Sequence, residues 1–265
     1  MVVGIIGANG FIGRNICSHH ISKKDKVYAF VKNNYDKVPE GCEILFPNQP
    51  CDVILECLFV TIGNYSLTFE QHLNQTKELF ELLPKLHFNK IVFISSTAVY
   101  GNHDLPIKLN SDYITPNTYG IIKLIQESLI KQFNNYCIVR PTYVYGNGME
   151  NNSLIPTWIK SATKSQTINI LGNGTRSQDY IHISDLLNIL DNIPTENTTI
   201  LVATGKSISN LELANLICKN LPLTNITHQG IDNSPSFNFE TDYLPPLKDI
   251  QQGIKELIEY EVSNL

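Results

Sequence analysis

What the sequence lacks narrows its function first. Six cysteines (Cys17, Cys42, Cys51, Cys57, Cys137 and Cys218) are few for 265 residues, and no two stand in a C-x-x-C spacing. That argues against a zinc ribbon, a dithiol redox centre and a disulfide framework, and the thiols read as reduced groups of a cytoplasmic protein. There is no excess of positive charge: 20 Lys+Arg stand against 25 Asp+Glu, a formal net charge of -5. Neither nucleic acid nor a membrane is an expected partner, because a phosphate backbone or an anionic bilayer needs a basic footprint. Long apolar runs are missing too. The most apolar stretch, Val53 to Ile62, is interrupted by Glu56 and is far shorter than the roughly 20 residues that cross a bilayer. The first ten residues already form a strand pattern and a glycine turn, so no secretory leader is expected. Repeats and low-complexity tracts are absent, and the pair His19-His20 has no partner at metal-ligand spacing, so no metal is expected.

What is present is core material: 42% hydrophobic against 17% charged residues, enough for one large α/β domain or one with a smaller companion. Val2–Ile6 reads as a strand, followed by the turn Gly7-Ala8-Asn9-Gly10-Phe11-Ile12-Gly13 and a helix to Ile21. Further strands are expected at Lys26–Val31, Cys42–Phe46, Val53–Val60, Lys90–Ser95 and Tyr136–Val139. Helices are expected at Thr68–Leu83 and Tyr119–Phe133. This alternation predicts an α/β fold with a doubly wound parallel sheet, Rossmann-like, covered on both faces. After Gly146 the texture turns irregular. Residues 1–147 are assigned to a dinucleotide-binding domain, with a later return to the sheet near 179–203, and 148–265 mainly to a small α+β substrate-binding portion. Helices are expected there at Leu154–Thr163, Ser184–Asp191, Asn210–Leu221 and Asp249–Tyr260, with strands near Ile168–Leu171 and Ile200–Ala203.

Three elements carry chemistry. A glycine turn between a first strand and a first helix lets the backbone approach a pyrophosphate, which the helix N-terminus then attracts. Its spacing here is G-x-x-G-x-x-G, which predicts cofactor contacts from Gly7, Asn9, Gly10, Phe11, Ile12, Gly13 and Arg14. Tyr119 and Lys123 stand four apart on a predicted helix and share a face. A cation beside a phenol favours the phenolate, which makes such a tyrosine an acid/base near neutrality. Ser96, in Ser95-Ser96-Thr97-Ala98-Val99-Tyr100-Gly101, falls at the C-terminal end of a strand, the sheet edge where such folds bind ligands. The second strand ends in Phe30-Val31-Lys32-Asn33 without an acid to accept from an adenosine ribose. Lys32 and Arg14 could instead neutralise a 2′-phosphate, so NADP(H) is favoured and NAD(H) is the alternative.

With these motifs in this order, the chain resembles the extended short-chain dehydrogenase/reductases, in particular the nucleotide-sugar epimerase/dehydratase group. The resemblance also runs through Arg140-Pro141 to Tyr145-Gly146, Gly172 to Asp185 and Gly205 to Leu213. It implies Tyr119 as acid/base, Lys123 as its partner and a contact of the nicotinamide ribose, and Ser96 as the hydroxyl that orients substrate. It also implies Thr97, Tyr143 and Arg176 as substrate contacts, and allows a homodimer. Relatives that dehydrate a hexose carry an acidic pair where this chain has Thr97 and Ala98, Tyr143 replaces an asparagine, and Gln178 stands where an arginine is common. The implied activity is therefore an NAD(P)-dependent reduction of a nucleotide-linked 4-keto-6-deoxy sugar, of the dTDP-hexulose reductase type, for cell-surface polysaccharide. The alternatives are a 4-epimerase and a non-catalytic NAD(P)-binding sensor. Glu56 is expected in a structural role at a strand end, and His182 as a packed side chain.

Overall fold

A computed structural model describes residues 1–45, 54–63, 66–104, 106–149, 152–241 and 247–264. The chain divides into two compact units. The first comprises Met1–Gly101, Leu109–Pro141 and Leu187–Leu201; the second comprises Asn102–Lys108, Thr142–Leu186 and Val202–Leu265.

The first unit is built on a seven-stranded sheet. Its strands are β1 (Val2–Ile6), β2 (Lys26–Phe30), β3 (Glu43–Leu45), β4 (Cys57–Val60), β5 (Ile91–Ile94), β6 (Tyr136–Pro141) and β7 (Thr198–Val202). Their spatial order is β7-β6-β5-β4-β1-β2-β3, and every pairing from β1 through β6 is parallel. The order reverses between β1 and β4, which is where an open α/β sheet leaves a crevice at the carboxyl ends of its strands. Helices α1 (Phe11–Ser22), α2 (Phe69–Leu82) and α3 (Thr118–Ile130) connect these strands. β4 and β5 are buried along their whole length, as strands covered on both faces must be. Leu58, Val60, Ile91, Phe93 and Ile138 pack with Leu79 and Leu83 in the core. α2 starts where it does because Thr68 and Gln71 form a reciprocal capping box.

One expected strand divides. Val53 lies outside the described residues; beyond it Ile54–Leu55 pairs with His87–Phe88, while Cys57–Val60 joins the main sheet. Glu56 separates them: it is exposed and its carboxylate accepts from the Val2 N–H at 3.1 Å. It thus belongs to the amino-terminal edge of the sheet, in the structural role expected of it. The expected third strand runs Glu43–Leu45, and Phe46 lies outside the described residues.

In the second unit, Ser177–His182 pairs in parallel with Tyr143–Tyr145 and antiparallel with Ser207–Ser209. Thr167–Leu171 pairs in parallel with Asn225–Gln229. Helices α4 (Leu154–Ser165), α6 (Asn210–Asn220) and α7 (Ile250–Ser263) pack there, and α5 (Ile183–Leu190) passes from this unit to the first. Asp179 is fully buried and ties the unit internally, its carboxylate accepting from the N–H and hydroxyl of Thr204 at 2.9 Å each. His182 is packed, its Nδ1 sharing a hydrogen bond with Ser184 at 2.8 Å, and burial pulls its imidazolium down to about 4.

Candidate active site

The three glycines after β1 have distinct physical reasons. Gly7 has φ +81°, and a Cβ there would lie 2.1 Å from the Thr61 carbonyl oxygen; at Gly13 it would lie 2.1 Å from the Gly7 carbonyl oxygen. These two are required for β1, α1 and the end of β4 to meet. At Gly10 a Cβ would meet only the Gly7 oxygen at 3.4 Å, so the fold leaves this position bare rather than crowded. Gly10 also caps α1 without a side-chain acceptor, and no acid occupies the first turn, which begins at Phe11 and Ile12. A helix N-terminus left in that state is an anion site. Such a cradle fits a dinucleotide pyrophosphate. Asn9 closes its rim by donating to the Asn33 carbonyl at 2.8 Å, and Arg14 donates to the Asn9 carbonyl at 3.2 Å. Lys32 is exposed and forms an ion pair with Glu78 of α2, an acid that the end of β2 itself does not carry.

The second part of the site begins where β5 ends. Ser96 caps a short 3₁₀ turn over Thr97–Tyr100, its Oγ accepting from the Ala98 N–H at 3.1 Å, which leaves the hydroxyl its own proton to donate. Asn117 caps α3 by accepting from the Gly120 N–H at 2.9 Å. A Cβ on Gly120 would stand 2.2 Å from the Ala98 carbonyl oxygen. That bare position lets the first turn of α3 lie directly on the Ser96–Tyr100 turn, which brings Tyr119 to it. One turn along, Lys123 is buried, and its Nζ donates to the carbonyls of Ile62 at 2.7 Å and Ile94 at 2.9 Å. The ammonium lies 5.6 Å from the centre of the Tyr119 ring. Burial pulls its pKa down to about 7, against the opposing charge of Glu127.

Thr61–Gly63, not singled out from sequence, joins the two parts. Thr61 touches Gly7 and its hydroxyl donates to Ile6 and Gly7 carbonyls; Ile62 accepts from Lys123. At Gly63, φ +96°, a Cβ would stand 3.4 Å from the Tyr119 ring. The segment directly follows β4, next to β1. Sequence reading also missed a buried support. Glu127 accepts from Ser95 at 2.6 Å and from Arg140 through both carboxylate oxygens, at 2.9 and 2.7 Å; Arg140 in turn donates to the hydroxyls of Tyr100 and Tyr113. The available signal was Glu127 four residues after Lys123, hence on the same helix face.

The first unit therefore contains Gly7 to Arg14, Lys32, Ser96, Thr97, Tyr119 and Lys123, whereas Tyr143 and Arg176 belong to the second. Thr97 is buried. Tyr143 packs edge-on against Tyr180 with ring centres 5.2 Å apart, and Arg176 Nε donates to the Pro235 carbonyl at 3.2 Å. His19 and His20 face Asp191 and Asp25, and no group of three metal-binding side chains occurs among the described residues. No helix among them is long and apolar enough to cross a membrane.

A glycine turn at the switch point of a parallel sheet, with Ser96 after β5 and Tyr119 and Lys123 on α3, defines the class: a doubly wound, Rossmann-like α/β protein. Residues 3–199 match the profile of the NAD dependent epimerase/dehydratase family, and the chain belongs to that family. It is 25% identical over 236 residues to the GDP-6-deoxy-D-talose 4-dehydrogenase of Aggregatibacter actinomycetemcomitans, covering 83% of this chain and 80% of that one. It is 31% identical over 153 residues to a putative UDP-glucose 4-epimerase of Methanocaldococcus jannaschii, covering 54% of this chain and half of the relative's length. Among solved structures, MoeE5 in complex with UDP-glucuronic acid and NAD is similar with a TM-score of 0.86, 18% identity and full coverage of both chains.

Proposed function

We propose that the protein reduces a 4-keto-6-deoxy hexose carried on a nucleoside diphosphate, using NADP(H). The observation that carries this reading is the convergence of Ser96, Tyr119 and Lys123 on strand ends that adjoin a bare phosphate cradle. Held at Gly7, Gly10 and Gly13, a dinucleotide would supply the hydride. Ser96 holds the sugar carbonyl oxygen through its hydroxyl proton, and Tyr119 donates the proton that oxygen needs as it becomes a hydroxyl. Lys123, anchored by the carbonyls of Ile62 and Ile94, holds its charge against the Tyr119 ring. Thr97 and Ala98 offer no carboxyl for the elimination that a dehydratase performs. Tyr143 and Arg176 are proposed as substrate contacts, and the second unit as the substrate-binding portion. The similarity to a 4-dehydrogenase of a nucleotide-linked 6-deoxy sugar supports this chemistry.

A panel of nucleoside diphosphate 4-keto sugars with NADPH, followed by absorbance, tests the reading. One equivalent of NADPH should be consumed per sugar. A 4-epimerase is the second reading, favoured by the similarity to the putative UDP-glucose 4-epimerase. Interconversion of two 4-hydroxy sugars without change in the reduced-cofactor signal would establish it instead. A homodimer is also proposed, through the exposed apolar side chains Ile121, Ile125 and Leu129 of α3 beside Phe69 and Leu73 of α2. Sedimentation of the wild type as a dimer and of Ile125→Glu as a monomer supports that face; a monomeric wild type refutes it.

A further inference from the structure

The proposed function uses none of the cysteines, and no spacing in the sequence pairs them, yet the first unit brings two of their thiols together. Cys17 lies on α1 and is fully buried; Cys42 is half-buried and directly precedes β3. The register that sets Glu43 opposite Tyr28 carries the chain before β3 to the side of the sheet where α1 packs on β1 and β2. Gly41 completes the approach. It is exposed, has φ +96°, and a Cβ there would stand 3.4 Å from Ile21, one turn beyond Cys17 on the same face of α1. The Cys17 and Cys42 side chains are hydrogen-bonded to one another. Cys17 is the donor: that bond and burial hold its thiol far above the usual range, while the proton it offers holds the more accessible Cys42 below it. Since the thiolate is the nucleophile, Cys42 is placed to attack a reagent from solvent and Cys17 to attack Cys42.

We propose that Cys17 and Cys42 are a hydroperoxide-reactive pair that closes reversibly into a disulfide. The Cys42 thiolate attacks the outer oxygen of the peroxide; the O–O bond breaks, and the leaving oxygen takes a proton to become water or an alcohol. Cys42 is then a sulfenic acid. The Cys17 sulfur attacks that of Cys42; the S–S bond forms, the S–O bond breaks, and the departing hydroxide leaves as water with the Cys17 proton. Two electrons have passed from the sulfurs to the peroxide, and a dithiol reductant returns them. The closed ring runs from α1 through all of β2 and includes Lys32 and Asn33, whose carbonyl holds Asn9. Such a ring constrains the unfolded chain more than the folded one. The pair is independent of the proposed function, since it requires neither the cofactor nor the sugar.

The test treats the full chain with hydrogen peroxide, alkylates the remaining thiols in denaturant, and maps the peptides by mass spectrometry. The expected product joins the Cys17 peptide to the Cys42 peptide and is released by dithiothreitol, with Cys57 and Cys137, both buried, recovered as alkylated thiols. Oxidation should raise the melting temperature by several degrees, reduction should return it, and neither Cys17→Ser nor Cys42→Ser should show the shift. Dimedone, which traps a sulfenic acid, should label Cys42 in Cys17→Ser and leave Cys17 unlabelled in Cys42→Ser. Cys17 and Cys42 that stay reduced while Cys218 is oxidised overturn the proposal. So does either of them joined instead to Cys51 or Cys218, or an oxidised wild type that melts no higher than the reduced one. None of these outcomes bears on the reduction of a sugar, which is measured separately.

Discussion

The cradle and the acid/base part of the candidate site meet at Thr61–Gly63 but are built from opposite materials. Gly7, Gly10 and Gly13 lack side chains, so that in the proposed function backbone groups are what the cofactor would meet. Ser96, Tyr119 and Lys123 would act, in the proposed function, through side chains, one of them a buried amine whose charge the interior penalises. The first part should respond to volume and remain indifferent to pH. The second should respond to the loss of single polar atoms and carry a pH dependence.

The largest effect expected of that contrast is at Tyr119. Tyr119→Phe keeps the ring and removes the transferable proton, so kcat should fall by about 10²–10⁴ while NADPH affinity is unchanged. Steady-state kinetics with a fluorescence titration of cofactor measure both, and a parallel loss of binding would blur the division between the two parts.

Lys123 gives the pH signature. Its folded pKa, about 7, lies below the ordinary 10.5, so between these values the unfolded chain binds more protons than the folded one. Stability contributed by this group therefore rises with pH through that window and is lost as pH falls toward 7. The limiting slope for one proton is about 1.4 kcal/mol per pH unit. Denaturant unfolding of the wild type minus that of Lys123→Met, measured from pH 7 to 10, should rise by several kcal/mol; a flat difference means that burial does not lower the pKa of the amine.

The cradle should break in two different ways. Gly13→Ala places a methyl 2.1 Å from the Gly7 oxygen and should lower stability by about 1–3 kcal/mol along with cofactor affinity. Gly10→Ala meets nothing closer than 3.4 Å, so it should melt like the wild type and lose cofactor affinity alone. Equal melting losses in both variants would show that Gly10 is a folding glycine and not a ligand-facing one.

How much was legible in the sequence follows the same division. The β1–turn–α1 unit could be read at once because strand, glycines and helix are contiguous and each obeys a local rule. The Tyr119–Lys123 pair was legible for a similar reason, since a four-residue spacing fixes a helix face. Gly120 has no role that the sequence alone makes legible, because what it makes room for is the Ala98 carbonyl, distant in sequence. The Arg140–Glu127 pair has no local signature, as its partners come from a strand and a helix that meet only in the fold. Val53–Val60 read as one strand because apolarity continues through it; the break comes from Glu56 accepting from Val2, a pairing that periodicity cannot show. The short strands Tyr143–Tyr145 and Ser207–Ser209 escaped because three residues are too few to establish a period.

The smallest effect concerns the edge of the cradle, where neither volume nor burial decides. Lys32 and Glu78 are about half exposed, with side-chain accessibilities of 51% and 48%, and an exposed ion pair contributes at most about 1 kcal/mol. If Lys32 accepts the 2′-phosphate of NADPH, Glu78 competes with that phosphate for the same ammonium. Glu78→Gln should then raise the NADPH over NADH preference in kcat/KM by up to about fivefold, the ratio that 1 kcal/mol represents, and Lys32→Ala should lower it. Both changes should shrink as ionic strength rises, because exposed charges are screened within about 10 Å at 0.1 M salt. A preference for NADH that neither substitution moves would mean that Lys32 serves only Glu78, and that the bare end of β2 leaves the ribose hydroxyls to backbone groups.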